Sequence, residues 1–339
     1  MLCCVLLPSC FLSCDVDQLG RTIGQGTFGK VIVAFDNKKK DKKVAIKVVK
    51  KDEADYEDAV LEAKIIEKMQ KIDDGPNNLC IRVLDWFDYY GHFCIVFDML
   101  GHSIYEFMRR NNFQPFIMSD VQKISYRLCG AVKFCHDQGL AHTDLKPENI
   151  LFVSSKFNFT TVETCHKRGA FRQICDSDIR LIDFGSAVFE EDHSKGLVST
   201  RHYRAPEVIL ELGWSFPCDV WSVGCIIFEI YYGRTLFQTH DTMEHLAMME
   251  RVLGRIPTSM REKSIKTKYF KHGRLDWNEG GKIARRVRER CRPLMAYMRD
   301  RSTKEKQLFD LMSRMLEYRP EKRITMREAL KHEFFDDLK

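Results

Sequence analysis

His142-Thr143-Asp144-Leu145-Lys146-Pro147-Glu148-Asn149 is the stretch from which the rest of the chain is read. It follows an apolar-periodic segment that ends at Gly139, so it reads as a loop. A loop that offers Asp144, then Lys146, then Asn149 can serve three needs. Asp144 can accept or orient a hydroxyl proton, Lys146 can neutralise a transferred phosphoryl group, and Asn149 can hold a metal ion. Asp183-Phe184-Gly185 follows a strand-like run at 179–182, and Asp183 is a hard oxygen ligand suited to Mg2+. A lone Asp-Phe-Gly carries little; behind that loop it carries a good deal.

Working upstream, Gly24-Gln25-Gly26-Thr27-Phe28-Gly29-Lys30-Val31 reads G-x-G-x-x-G-x-V. Glycines let backbone N–H groups approach phosphate oxygens. A dinucleotide site would place a helix next, whereas here a second β run follows, which favours a glycine flap between strands. An ordinary hairpin turn is the plainer alternative. In Val44-Ala45-Ile46-Lys47, Ala45, Lys47 and Val49 share one strand face. Glu62 lies fifteen residues beyond Lys47, on the apolar face of a helix. A buried acid there needs a counter-charge, and Lys47 is the natural one.

The coarse pattern places a strand-forming stretch at 23–35 and another at 44–49, with the lysine cluster at 38–43 as the turn. A helix is expected over 54–70, with Leu61, Glu62, Ile65, Ile66 and Met69 on one face, then strands near 79–87 and 92–98. Beyond Gly101 the period becomes helical. Ser119 with Gln122 reads as a capping box ahead of the Val121, Ile124, Leu128, Ala131, Val132, Cys135 face, and 218–232 as an apolar helix.

Composition bounds the answer. The 339 residues are 44% hydrophobic and 30% charged, which excludes wholesale disorder, collagen and a disulfide miniprotein. A net charge of +6 is too mild to argue for nucleic-acid binding. Thirteen cysteines without a C-x-x-C pair read as reduced core thiols. The apolar start MLCCVLLPSCFLSC lacks a basic flank and a cleavage site and is shorter than a membrane span, so 1–17 is taken as an atypical N-terminus.

Together these motifs resemble the protein kinase family over residues 18–337. The resemblance implies an α+β, bilobal kinase fold. A β-rich N-lobe would span about 18–98, a hinge 98–101 and a helical C-lobe 102–337, with ATP and Mg2+ held between the lobes. By motif match, Asp144 and Lys146 are catalytic, and Asn149 and Asp183 hold metal. Ile23, Gly24, Gly26, Gly29, Val31, Ala45, Lys47, Glu62, Phe97 as gatekeeper, Asp98, Leu100 and Leu151 would bind ATP. Asp219 would brace the catalytic loop, and Arg323 would pair with Glu207 of Ala205-Pro206-Glu207.

Glu244-His245-Leu246-Ala247-Met248-Met249-Glu250-Arg251 spells EHLAMMER, the namesake of the LAMMER dual-specificity kinases. Physically it reads as a packed structural helix. The segment 154–178 resembles the hairpin insertion of that family, a surface loop being the alternative. Thr143 stands where most regulated kinases carry an arginine that receives an activation-loop phosphate. An activation segment ordered without such a phosphate is therefore expected.

The family implies Arg/Ser-rich splicing factors as partners, Ser/Thr phosphorylation with Tyr autophosphorylation, and a nuclear protein, the cytoplasm being an alternative. A monomer without direct nucleic-acid or membrane binding is expected. Basic substrates want acidic surface, for which Glu190, Glu191, Asp192, Asp176 and Asp178 are candidates beside a merely solvated role. Arg285, Arg286, Arg288, Arg290 and Arg292 would dock acidic or phosphorylated sequence, or face solvent. A pseudokinase would lack Lys47, Asp144 or Asp183, and none is missing. A small-molecule kinase is disfavoured by the Ala205-Pro206-Glu207 segment.

Overall fold

The computed structural model describes residues 16–25, 29–36, 42–73, 78–164, 167–192, 196–264, 269–278 and 280–339. The apolar start up to residue 15, Gly26, most of the lysine turn and Cys165 lie outside the described residues. The chain divides into two compact units, one reaching to Gly101 and including Arg180–Gly185, the other holding His102–Ile179 and Ser186–Lys339.

The first unit is an antiparallel sheet with one helix. Its strands are β1 (Val16–Gln25), β2 (Gly29–Asp36), β3 (Lys42–Val49), β4 (Val83–Tyr89) and β5 (His92–Asp98), in the order β1-β2-β3-β5-β4. Two-residue periodicity sorts the side chains. One face is a cluster of Ala34, Val44, Ile46, Cys94 and Val96. Ala45, Lys47 and Val49 point the other way, where helix α1 (Glu53–Ile72) packs. Asp52 caps α1 by accepting from the Ala54 N–H at 3.1 Å. Ala59, Glu62, Ala63, Ile65, Ile66 and Met69 are buried, and Tyr56 meets Phe93 edge-on at 5.2 Å.

Leu61 departs from the expected face and is 53% exposed. Neighbours on a helix are about 100° apart, so the face that buries Glu62 and Ile66 turns Leu61 to solvent. The strand expected from residue 79 begins at Val83, because Cys80 and Ile81 pair with Leu181 instead.

The second unit is mainly helical. It begins with α2 (Ile104–Arg110) and α3 (Met118–Asp137), followed by the short strands β6 (Leu140–Ala141) and β7 (Ile150–Phe152). A hairpin of β8 (Phe157–Thr164) and β9 (Lys167–Ile174) forms the insertion, paired in register from Phe157↔Ile174 to Thr164↔Lys167. Asn111 at the end of α2 ties the hairpin down through two 2.9 Å bonds to the Arg172 backbone. Helices α4 (Pro206–Ile209), α5 (Pro217–Tyr232), α6 (Thr242–Leu253), α7 (Thr258–Lys263), α8 (Lys282–Arg290), α9 (Thr303–Met315) and α10 (Met326–Ala329) complete it.

The core of this unit lies around α5, which is buried from Cys218 to Tyr231 and mostly apolar, its buried Asp219, Ser222 and Glu229 each meeting hydrogen-bond partners. A Cβ on Gly224 would crowd Met315 and Leu316, so glycine sets the α5–α9 approach. Val121, Ile124, Leu128, Ala131, Val132 and Cys135 of α3 are fully buried. The expected capping box is absent. Ile117 is the N-cap without a side-chain bond, and the Gln122 amide donates to the Phe334 carbonyl. A buried tertiary acceptor outcompetes the local cap.

Seven of the eight described cysteines are buried, but Cys175, beyond the end of β9, is exposed. Among the described residues no helix is long and apolar enough to cross a membrane.

Candidate active site

The sheet of the first unit positions Lys47. It sits mid-strand in β3, paired with Val31 on one side and Ile95 on the other. Its Nζ donates to Glu62 Oε2 at 2.6 Å and lies 3.6 Å from Asp183 Oδ1. Glu62 also accepts the Phe184 N–H, which ties the Asp-Phe-Gly segment to α1. Burial opposes the Lys47 charge, but Glu62 and Asp183 outweigh it and raise its pKa. Burial raises the Glu62 carboxyl, with Lys47 pulling the other way.

Around this pair stand the other candidates of the unit. Ala45 pairs with Val33 and with Phe97, so a small residue and the expected gatekeeper are neighbours across the sheet. Asp98 at the end of β5 is held by Lys42 at 2.6 Å, Leu100 is half-buried, and Ile23 is 41% exposed on β1. Gly24 pairs with Val31 across β1 and β2. A Cβ on Gly29 would collide with the Val48 carbonyl oxygen. That glycine is required by the approach of β2 to β3, whatever it does for a phosphate.

The second unit carries the loop that opened the sequence reading. Its backbone is fixed from below by Asp219 of α5. The carboxylate accepts the His142 N–H at 2.8 Å and the Thr143 N–H at 2.9 Å, with the His136 ring at 3.0 Å. Burial opposes that charge, yet His136 and the loop hold the Asp219 pKa below the usual carboxylate range. Thr143 adopts φ +65° and its hydroxyl donates to the Ser186 carbonyl at 2.6 Å. Asp183 and Ser199 share this left-handed conformation, at φ +66° and +67°. Strain of this kind costs about 1–3 kcal/mol per residue and gathers at sites of chemistry.

Asp144 is reached from two sides. Lys146 Nζ donates to Oδ2 at 2.5 Å, and the Thr200 hydroxyl donates to Oδ1 at 2.6 Å. Burial pushes its pKa up, but the hydrogen bonds from Lys146 and Thr200 outweigh that and hold it below the usual carboxylate value, so Asp144 stays ionised at neutral pH. Asn149 donates its Nδ2 to the Asp144 carbonyl at 3.0 Å, which directs its amide oxygen away as a hard ligand. Leu151 sits on β7, bridged to Ser103.

No local pattern in the sequence marks Thr200. It lies fifty-six residues beyond Asp144, and only the fold brings them together. Arg204 holds the same segment by donating to the Val198 carbonyl at 2.8 Å and the Ser199 carbonyl at 2.6 Å, while Trp214 Nε1 donates to the Gly196 carbonyl at 2.9 Å. Glu207 and Arg323 form a fully buried two-pronged pair at 2.6 and 2.9 Å. EHLAMMER is the body of α6, with His245, Leu246, Ala247, Met248 and Met249 buried. Of the acidic candidates, Glu190 and Glu191 are exposed, Asp176 accepts the Asp178 N–H, and Asp178 is engaged by Arg127 at 2.8 Å. The Asp192 side chain lies outside those described.

The family model for the protein kinase domain matches residues 18–335. The Homo sapiens dual specificity protein kinase CLK2 is 52% identical over 322 residues, which is 95% of this chain and 64% of that protein. The Drosophila melanogaster serine/threonine-protein kinase Doa is 52% identical over 327 residues, 95% of this chain and 39% of Doa. The chain thus spans less than two thirds of the length of these relatives. Among solved structures, the PF14_0431 kinase domain superposes with a TM-score of 0.88 at 34% identity, covering 97% of this chain and 98% of that one. The chain belongs to the protein kinase family and, within it, to the LAMMER group of CLK and Doa dual-specificity kinases.

Proposed function

We propose that this chain is an ATP-dependent protein kinase that phosphorylates Ser, Thr and, in autophosphorylation, Tyr hydroxyls. Its substrates on this reading are Arg/Ser-rich proteins, splicing factors among them, met by a monomer in the nucleus. The observation that carries the reading is the pairing of Lys47 with Glu62 at 2.6 Å beside Asp183. A lysine held charged and aimed by a buried acid is what a nucleotide's α- and β-phosphates require.

Each residue then has one task. Lys47 draws charge from the phosphates, and the glycine segment supplies backbone N–H groups to them. Ala45 and Val31 leave room for a flat base, and Leu151 is assigned to the same base by the family pattern alone. By the family pattern Asp183 and Asn149, each a hard oxygen donor, would hold Mg2+, which would offset phosphate charge when bound. Asp144, ionised and fixed by Lys146 and Thr200, orients the substrate hydroxyl and takes its proton. Lys146 steadies the phosphoryl group in transit. Positioning and charge neutralisation supply most of the rate.

The activation segment is held by hydrogen bonds to the backbone carbonyls of Ser186, Val198, Ser199 and Gly196, none of which needs a phosphate, and Thr143 has no charge with which to receive one. This supports activity without an activation-loop phosphate. The exposed Glu190 and Glu191 support a basic substrate. Turnover of an Arg/Ser-repeat peptide, compared with the same peptide carrying Gln for Arg, tests the substrate class. A clear preference for the arginine peptide is expected, and equal rates would overturn it.

A further inference from the structure

Helix α8 is strongly basic on its outer side. Ala284 and Val287 bury its inner side, while Lys282, Arg285, Arg286, Arg288 and Arg290 are exposed, as is Arg292 just beyond it. From Lys282 to Arg292 six basic residues face one acid, Glu289, in a chain whose whole net charge is +6. Like charges four apart on a helix repel, as Arg286 and Arg290 do, and no acid stands in its first turn to answer the helix dipole. Arg285 reaches Glu289 at 2.8 Å and Arg286 reaches Glu244 of the EHLAMMER helix at 3.5 Å, pairs of a kind that contribute little at a surface. Packing does not explain this charge. A polyanion bound along the helix would.

We propose that the outer face of α8, through Arg286 and Arg290 with Arg285 and Arg288 beside them, docks a protein segment bearing alternate phosphoserines. This deepens the Arg/Ser reading above and rests on it, since such a segment is what that reaction produces. The spacing favours it. Residues four apart on a helix rise by about 6 Å, and alternate residues of an extended chain are about 6.6–7.2 Å apart. Successive arginines on one side of α8 therefore match successive phosphates on a stretched peptide. Guanidinium groups grip phosphate oxygens by two parallel N–H bonds, which lysine cannot do, and the helix carries five arginines with Arg292 against one lysine. The face also joins the substrate side of this unit: Glu244 lies two residues past Thr242, whose hydroxyl takes a 2.9 Å bond from Arg201 of the activation segment.

The test is fluorescence anisotropy on the full chain without nucleotide. The probe is a short Arg/Ser-repeat peptide with every serine phosphorylated, beside its unphosphorylated twin. The phosphorylated peptide should bind the parent at least about tenfold more tightly than the twin, and Arg286→Gln with Arg290→Gln should remove about that factor. Thermal midpoint and initial turnover of the unphosphorylated peptide should not move. Arg285→Gln with Arg288→Gln is the second pair, should the first disturb the contact with Glu244. Equal binding of the two peptides, unchanged binding in both variants, or a single-stranded RNA that binds more tightly than the phosphopeptide would each overturn the proposal. No ATP enters this assay, so failure of the substrate reading in turnover and failure of docking are separate results.

Discussion

Glu62→Gln isolates the charge that aims Lys47. The substitution keeps the shape and a hydrogen-bonding amide but removes the partner 2.6 Å from Nζ, leaving Asp183 at 3.6 Å. At that distance and an effective dielectric near 20, the gross attraction is about 6 kcal/mol. Desolvation of the two groups takes back roughly half or more, so the aim of Lys47 is worth about 2–3 kcal/mol. In kcat/KM for ATP that is a loss of roughly 30- to 150-fold. Stability should respond far less. Burial raises the Glu62 pKa in the folded protein, so its ionised form weakens the fold as pH rises past the unfolded value, and a neutral amide relieves that cost. The thermal midpoint should move by less than about 4 °C. Steady-state turnover of an Arg/Ser peptide against ATP, with calorimetry on the same sample, reads both quantities. A kcat/KM within about threefold of the parent, or a midpoint collapse that accounts for the lost activity, would refute the reasoning.

Arg323→Ala leaves the fully buried Glu207 carboxylate uncompensated and should cost about 3–5 kcal/mol in denaturant melts; Glu207→Gln should cost less. Protein stripped of phosphate should keep most of its activity, because the activation segment is held through Thr143, Thr200 and Arg204; a fall to background would contradict this. His245 has its pKa pushed down to about 3, first by burial and then by Arg204, His202 and Arg201. A base depressed on folding gives stability that is present above about pH 6.5 and drains as pH falls toward the folded value. Between pH 6.5 and 4 the parent should therefore lose about 3 kcal/mol more than His245→Phe, measured by urea unfolding.

The chemistry-bearing residues were legible because phosphoryl transfer demands particular residue types at short, fixed spacings. Asp144, Lys146 and Asn149 lie within one loop, and Asp183 within a three-residue motif. Glu62 was legible for a different reason, as an acid on an apolar helical face. What the sequence could not reveal depended on long-range packing. Thr200 reaches Asp144 across fifty-six residues, and no local pattern marks it. Ser119 and Gln122 spell a good cap, but the Phe334 carbonyl, from the far end of the chain, claims Gln122. Leu61 has helical spacing and still faces water, because the sheet takes the side of α1 that carries Glu62. Gly29 looked like a phosphate ligand, and the structure adds a steric need set by Val48 on the neighbouring strand.

Asp144→Asn puts the central claim to its most direct test. The amide is isosteric, its oxygen still accepts the Thr200 hydroxyl bond and Asp219 still holds the loop backbone, so the loop should keep its form; its NH2 loses the Lys146 bond and cannot take a proton from a substrate hydroxyl. Transfer of labelled γ-phosphate from ATP to an Arg/Ser-repeat peptide should be readily measured for the parent and fall by at least about 100-fold in the variant, with ATP affinity unchanged. Transfer that survives Asp144→Asn at the parent rate, or a parent that transfers phosphate to no protein hydroxyl, would contradict the account.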